Sequence, residues 1–220
     1  MSYILNIDTA IDKASICLSK DGGLVSIDSN NQLKDHAAWL QPAIKNQLEK
    51  AGVDMHELKA VAVSIGPGSY TGLRIGLSTA KGLCYALDIP LIAIGTLDMM
   101  AAAALDKDTG LVCPMIDARR MEVFTAIYNK NMSIVLAPCA MVLDENSFTD
   151  ILNEHTILFY GNGSNKFSQL ITHKNAVFDT IEISALQLIK ISYNRLLAKD
   201  FNSVAYTEPM YIKNFHSSVK

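Results

Sequence analysis

The order of apolar segments in the first hundred residues restricts the fold more than any other feature of this sequence. Three short apolar runs, joined by turns at Asp12-Lys13 and Asp21-Gly22-Gly23, predict three strands. A helix, a strand, a second helix and another strand are predicted to follow. The strands span 3–8, 14–18, 24–27, 59–65 and 89–94, and the helices span about 36–50 and 72–87. This order predicts a mixed sheet with helices on its face.

The second half of the sequence repeats this order loosely. Strands are predicted at 111–117, 122–128, near Ile134 and at 156–160, and helices at 147–153, 164–171 and 184–199. Ribonuclease H-like halves have this order, and actin-like ATPases contain two of them. The predicted fold class is therefore α/β, an actin-like ATPase (ribonuclease H-like) fold with two lobes and a reduced second lobe. We expect residues 1–104 to form the first lobe and residues 105–220, with the long helix 184–199, to form the second.

Composition and charge exclude several classes of protein. Half of the 220 residues are hydrophobic, so a packed core is expected, but no apolar run approaches the ~20 residues that span a bilayer. The N-terminal segment lacks the basic region of a signal peptide, and the four cysteines lie far apart, so we expect a cytoplasmic protein without a membrane partner. The net charge is −3, without the basic stripe that phosphate neutralisation requires in a nucleic-acid binder.

A glycine-rich loop, Gly66-Pro67-Gly68-Ser69-Tyr70-Thr71-Gly72, joins a predicted strand to a predicted helix, where many proteins bind phosphate. It departs from the Walker pattern, because Thr71 stands at the sixth position and no Lys-Ser/Thr pair follows. Asp8 ends the first strand, where actin-like ATPases position magnesium, but no glycine-rich hairpin comes after it. We predict structural turns at both places. The candidate vestigial phosphate-loop residues are Asp8, Thr9, Gly66 and Gly68.

The helix after this loop carries small residues at every fourth position, namely Gly72, Gly76, Ala80 and Cys84. An interior glycine costs a helix about 1 kcal/mol relative to alanine, so such a ridge indicates that another backbone comes close. The ridge fits two structures equally well: packing on the protein's own sheet, or packing on the helix of a partner.

Residue patterns for metal or nucleophilic chemistry are missing from the sequence. No two histidines have the His-x-x-x-His spacing, no Cys-x-x-Cys occurs, and no hydroxyl–histidine–carboxylate set is recognisable. The sequence therefore predicts no metal, no cofactor and no catalytic residue.

The stretch from Ser64 to Gly76 resembles the TsaB (YeaZ) family of tRNA threonylcarbamoyladenosine biosynthesis proteins, and the resemblance covers nearly the whole chain. The other matching segments are Ile7-Asp8-Thr9, Ala80-Lys81-Gly82-Leu83, Ile89-Pro90-Leu91-Ile92, Thr96-Leu97, Asp117-Ala118-Arg119-Arg120-x-Glu122-Val123-Phe124, Tyr160-Gly161-Asn162-Gly163 and Pro209-x-Tyr211-Ile212-Lys213. The departures are mild: Tyr70 replaces the usual Phe, Met121 a common Gly, and Lys213 a common Arg.

The resemblance implies a non-catalytic paralogue of the metal-binding transferase TsaD. Laid on this chain from Gly66, the His-x-x-x-His motif of TsaD falls on Thr96 and Met100, with Asp98 between them. Threonine is a poor ligand for a hard metal and methionine is a soft one, so the metal site is expected to be lost. The chain is thus expected to be an accessory subunit rather than an enzyme.

The implied function is that of a scaffold required with TsaD and TsaE for threonylcarbamoyl transfer to the tRNA adenosine next to the anticodon. The resemblance implies a heterodimer with TsaD, contact with TsaE in the same complex, a homodimer when the chain is alone, and tRNA contact only through the complex. The alternative is a weak nucleotide hydrolase or peptidase of the actin-like/glycopeptidase superfamily. Direct tRNA binding by the isolated chain is a third hypothesis, which the negative net charge disfavours.

The partner surface is predicted on the two helices of the first lobe, which would form a four-helix bundle with two helices of the partner. Tryptophan and arginine often anchor interfaces, and the ridge of small residues would allow a close approach. The predicted interface residues are Trp39, Leu40, Ile44, Arg74, Ile75, Gly76, Leu77, Thr79 and Ala80. The sequence predicts no role for Arg119 and Arg120.

Overall fold

A computed structural model describes residues 2–30 and 35–213 of the chain. The ten strands of this described part are β1 (Tyr3–Asp8), β2 (Ala14–Lys20), β3 (Gly23–Asn30), β4 (Leu58–Ser64), β5 (Leu91–Ile94), β6 (Leu111–Asp117), β7 (Glu122–Asn129), β8 (Ile134–Val142), β9 (Ile157–Tyr160) and β10 (Ala176–Phe178). Its six α-helices are α1 (His36–Ala51), α2 (Tyr70–Leu87), α3 (Thr96–Ala102), α4 (Thr149–Glu154), α5 (Ser164–Ser168) and α6 (Leu188–Ala198). None of the helices in these ranges is long and apolar enough to cross a membrane.

The first sheet has the strand order β3-β2-β1-β4-β5. The hairpins pair β1 with β2 and β2 with β3 antiparallel, whereas β1 and β4, and β4 and β5, are parallel. β1 is central, with Leu5 opposite Leu18 on one side and Val61 on the other, and nearly all its residues are buried. A central strand of this kind is covered on both faces and therefore consists of a nearly continuous apolar run.

Helices α1 and α2 cover the first sheet with their apolar sides. Leu40, Ile44 and Leu48 of α1 and Leu77 of α2 join the core formed by the apolar residues of β1, β2 and β4. Helix α1 ends at Gly52, whose left-handed backbone (φ +63°) is the conformation that glycine adopts without strain. Pro42 lies inside α1, which continues through it.

The second sheet repeats the connectivity of the first, strand for strand. Its order is β10-β9-β6-β7-β8, with β6–β7 and β7–β8 antiparallel and β6–β9 and β9–β10 parallel. Five strands are thus present here, and the reduction lies in the helices, since α4 has six residues and α5 has five. A cluster of aromatic rings fills this core, with Phe159 and Phe167 centroids 5.0 Å apart. Two copies of the same mixed sheet confirm the predicted actin-like fold class.

The two compact units divide the chain differently from the predicted lobes. The first unit takes Met1–Met99 together with Glu182–Pro209, and the second takes Met100–Ile181 and Met210–Lys220. Helix α6, expected in the second lobe, packs in the first: the Ser192 hydroxyl donates to Asn6 Oδ1 (2.7 Å) and the Arg195 guanidinium donates to the Ala93 carbonyl (2.6 Å). The predicted helix 184–199 begins as a short 3-10 helix, Ala185–Gln187, before α6.

Candidate functional site

The glycine loop lies directly against the turn between β1 and β2. The Ser69 amide donates to the Ala10 carbonyl (2.7 Å), and the Thr9 hydroxyl donates to the Gly72 carbonyl (2.7 Å). A Cβ at Gly68 would lie 2.3 Å from the Ala10 carbonyl oxygen. The loop therefore uses its glycines and the Ser69 amide to hold its own chain, which favours the predicted structural turn over an anion cradle.

The ridge of small residues on α2 also packs internally. A Cβ at Gly72 would lie 2.0 Å from the Thr9 carbonyl oxygen, and one at Gly76 would lie 2.3 Å from Thr9 Oγ1. Ala80 and Cys84 are buried in the core of the first unit. Of the two structures that the sequence left open, the structure shows the internal one. Thr9 and the core thus occupy the side of α2 that carries Gly76 and Ala80.

Asp8 is a fully buried carboxyl group at the end of β1. Its Oδ1 accepts hydrogen bonds from the Ser64 hydroxyl (2.5 Å) and the Ala10 amide (3.0 Å). Its Oδ2 is buried and has no hydrogen-bond partner among the described residues. Burial raises the pKa of Asp8 to about 6, and the hydrogen bonds from Ser64 and Ala10 only partly oppose this shift. The environment thus destabilises the carboxylate relative to water, and a group with this pKa is still mostly ionised at neutral pH.

These residues do not fit the magnesium that actin-like ATPases hold at this place. A magnesium site needs ionised oxygen ligands arranged octahedrally, and several water molecules usually complete it. Asp8 has no exposed surface and its Oδ1 already accepts hydrogen bonds from Ser64 and Ala10, while Thr9 is buried and hydrogen-bonded to Gly72. Residues 2–30 and 35–213 contain no group of three or more His, Cys, Asp or Glu side chains that is arranged to hold a metal ion.

The two positions aligned with the TsaD histidines are occupied by structural residues. Thr96 is buried; its hydroxyl accepts from the Gly66 amide (3.0 Å), and its own amide donates to the Gly66 carbonyl (2.8 Å). Met100 is buried as well, and its methyl group would lie 2.8 Å from a Cβ at Gly161. Thr96 therefore fixes the start of the glycine loop and Met100 fills a core.

The predicted interface residues separate into buried and accessible groups. Five of them, Leu40, Ile44, Gly76, Leu77 and Ala80, are buried in the first unit and present little surface to a partner. The accessible ones are Trp39, Arg74, Ile75 and Thr79. The Arg74 guanidinium lies over the Tyr70 ring, 3.9 Å from its centroid, and Gln41 of α1 donates to the Thr79 hydroxyl (3.3 Å). The side chains that remain available thus lie on adjacent helices.

Sequence reasoning did not connect two segments that the structure joins in the second unit. The β6–β7 hairpin carries Arg119 and Arg120 at its exposed tip, and the Asp117 amide at its base donates to Asn162 Oδ1 (2.8 Å). Lys166 of α5 donates to Asp117 Oδ1 (2.5 Å) and to the Glu122 carbonyl (3.0 Å). Both segments match the family pattern, and this match was the one sign that they share a role. They lie about forty residues apart in sequence, so no local pattern could predict their contact.

The duplicated sheet gives the chain the actin-like fold, and the glycine loop and Asp8 at its first strand are both packed against the chain itself. Among solved structures, "YeaZ from Pseudomonas aeruginosa" has the same fold, with a TM-score of 0.84 at 23% identity over 96% of this chain and all of that one.

Sequence comparison identifies the family. Residues 22–214 match the family described as "TsaD: tRNA N6-adenosine threonylcarbamoyltransferase". The "tRNA threonylcarbamoyladenosine biosynthesis protein TsaB" of Bacillus subtilis is 32% identical over 174 residues, covering 76% of this chain and 74% of that protein. The protein of the same name from Haemophilus influenzae is 28% identical over 96% of this chain and 93% of its own length. The chain belongs to the TsaB family, within the wider family that the TsaD pattern describes.

Proposed function

We propose that this chain is a non-catalytic subunit in threonylcarbamoyladenosine formation on tRNA, acting in the cytoplasm with TsaD and TsaE. The observation that carries the proposal is the use of the two positions that correspond to the TsaD histidines, Thr96 and Met100. The chain matches the TsaD family pattern over 193 of its 220 residues, from 22 to 214, yet Thr96 and Met100 are buried and used for packing. We infer that a TsaD relative whose two histidine positions serve packing contributes through association rather than through chemistry.

Titratable groups in the buried parts of the chain support a non-catalytic role. Burial raises the pKa of the Cys17 and Cys113 thiols to about 12 and that of Cys84 to about 11, so these thiols are protonated and poor nucleophiles at neutral pH. Asp8, the acid on which a nucleotide hydrolase would depend, has no exposed surface. The alternative of a hydrolase or peptidase therefore has no accessible acid or thiol at these positions.

The surface of this chain that we propose binds TsaD is the accessible face of α1 and α2, defined by Trp39, Arg74, Ile75 and Thr79. An arginine held over an aromatic ring presents a planar, weakly hydrated cation, which is a common anchor of protein interfaces. We further propose that the same face forms a homodimer when TsaD is absent.

Co-purification tests the association directly. Tagged TsaD of the same organism, mixed with the untagged chain, is expected to retain it through a size-exclusion column as a complex of both subunits. The isolated chain, assayed with ATP and magnesium, is expected to release phosphate no faster than the buffer. A stoichiometric burst or steady release of phosphate from the isolated chain would favour the hydrolase, and failure to retain the chain would contradict the scaffold.

A further inference from the structure

Two consecutive arginines form the tip of the β6–β7 hairpin, and both have left-handed backbone. Arg119 has φ +70° and Arg120 has φ +49°, and no other two consecutive non-glycine residues in the described ranges have positive φ. The left-handed conformation costs a residue with a Cβ about 1–2 kcal/mol, whereas glycine and asparagine adopt it readily. Arginine is a costly choice at these two positions unless its side chain is needed.

The base of the hairpin carries two acids, and a lysine pairs with each of them, so the arginine tip, defined as Arg119 and Arg120, adds positive charge in excess of these acids. The charge of Arg119 also acts on Asp117. Asp117 is paired with Lys166 (2.5 Å), and Glu122 is paired with Lys213. The Arg119 amide donates to Asp117 Oδ1 (2.5 Å), which fixes the backbone of the tip. Both carboxylates are therefore engaged by lysines, and both arginine residues are exposed.

The chemistry of an exposed arginine pair on a rigid hairpin fits phosphate groups. The guanidinium fork binds phosphate oxygens through two parallel hydrogen bonds, and it stays charged at every physiological pH. We propose that the arginine tip binds the phosphate backbone of tRNA when the chain is part of its complex. This inference rests on the proposed function, in which tRNA is the polyanionic substrate. It accounts for contact with RNA by a chain whose net charge is −3, since only a local cluster is required.

Two phosphate contacts predict a measurable salt dependence. Each arginine–phosphate contact releases counterions, so its loss lowers the slope of log affinity against log salt by about 1. The contacts read no base, so their loss is expected to weaken binding of different tRNAs alike.

The test uses the assembled complex with TsaD and fluorescently labelled tRNA, titrated at several salt concentrations. The variant R119N/R120N removes both charges while asparagine keeps the left-handed backbone, and R119K/R120K keeps the charges. The matched control, K174Q/K190Q, removes two positive charges from exposed positions elsewhere in the chain. We expect weaker tRNA binding and a slope smaller by about 1 to 2 for R119N/R120N alone.

An unchanged slope in R119N/R120N, with the complex intact, would overturn the inference and leave the scaffold function standing. Loss of TsaD association by R119N/R120N would overturn it as well, because the tip would then contact an acidic protein surface. If the unaltered chain fails to assemble with TsaD, the proposed function fails and the inference fails with it. Size-exclusion chromatography of the same samples shows whether the complex has assembled, and the titration then gives the salt slope of the assembled complex.

Discussion

At the scale of single residues, Asp8 shows how this chain uses a position that carries charge in related folds. The carboxyl group has two hydrogen-bond donors on Oδ1 and a buried Oδ2 without a partner in the described residues. Because an unpartnered buried oxygen is costly when ionised, the folded protein retains the proton to about pH 6, whereas the ordinary value is 3.8. Asp8 therefore stabilises the fold as a neutral acid at acid pH, and this contribution is lost at neutral pH, where Asp8 is mostly ionised.

The sign of the resulting pH dependence follows from proton linkage. The stabilising contribution of the protonated Asp8 is fully present below pH 3.8 and is lost as the pH rises through 6. Asp8→Asn removes this titration and keeps a neutral side chain of the same shape. Between pH 4 and pH 7.5, the free energy of unfolding of the wild type should fall by about 2 kcal/mol relative to that of the variant. Urea denaturation of both proteins across this range measures the difference, and a constant difference would contradict the account.

Two glycines of α2 provide a matched test of internal packing. A Cβ at Gly76 would lie 2.3 Å from Thr9 Oγ1, whereas a Cβ at Gly82 would meet nothing within 4 Å. We expect Gly76→Ala to lower the free energy of unfolding by about 1–3 kcal/mol through overpacking. Gly82→Ala, in the same helix, should raise it by about 0.5–1 kcal/mol because alanine restricts the unfolded chain. Equal urea midpoints for the two variants would show that Thr9 does not pack against α2.

At the scale of elements, the face of α1 and α2 is proposed to carry the association with TsaD. Arg74→Glu reverses the charge of an exposed side chain and removes its contact with the Tyr70 ring. If Arg74 anchors the interface, affinity for TsaD should fall about 30-fold or more, since such anchors contribute about 2 kcal/mol or more.

Lys190→Glu on α6 is the control for this charge reversal, because it changes an exposed lysine on another helix. Both variants should melt within a few degrees of the wild type, so that a change in affinity is not a change in folding. Isothermal titration with TsaD measures both affinities. Equal affinities of R74E and K190E would place the interface away from α2.

The β6–β7 hairpin gives a prediction about stability that is independent of any ligand. Asparagine tolerates positive φ better than arginine, so R119N/R120N should be at least as stable as the wild type, by up to about 2 kcal/mol. Thermal unfolding of the two proteins tests this. A lower melting temperature for the variant would mean that the arginine side chains themselves stabilise the hairpin.

The elements that the sequence predicted well are those with strong local signals. β1 and β6 have the predicted bounds, because their apolar runs end at turn residues. Helix α3 and strand β10 were not predicted, since seven and three residues are too few for a periodic pattern. β8 is longer than predicted; this edge strand consists of exposed and half-buried residues, without a fully buried one.

At the scale of the whole molecule, the position of α6 could not be predicted from local patterns. Its partners Asn6 and Ala93 lie about 100 to 190 residues away in sequence, and only tertiary contacts bring them together. The candidate site was limited in the same way: the small ridge was recognised, but only the structure shows that Thr9 occupies the space beside it. Sequence patterns specify which faces are close-packed, whereas chain topology specifies what packs there.

The charge of the whole chain sets an expectation for tRNA binding by the isolated protein. With a net charge of −3 and only two arginines in the arginine tip, it should bind tRNA no more tightly than ordinary non-specific association, about 10⁻⁴–10⁻⁶ M for DNA binders. A gel-shift titration of the isolated chain tests this. Nanomolar binding would contradict recruitment of tRNA through the complex.

The central claim is that the chain supports threonylcarbamoyl transfer without performing it, and a reconstituted transfer assay tests it most directly. TsaD and TsaE of the same organism are supplied with tRNA, ATP and threonylcarbamoyl-adenylate, and modified adenosine is measured with and without the chain. We predict rapid modification with all three proteins, a fall to background when the chain is omitted, and none when TsaD is omitted. Modification by the chain without TsaD, or an unchanged rate without the chain, would contradict it.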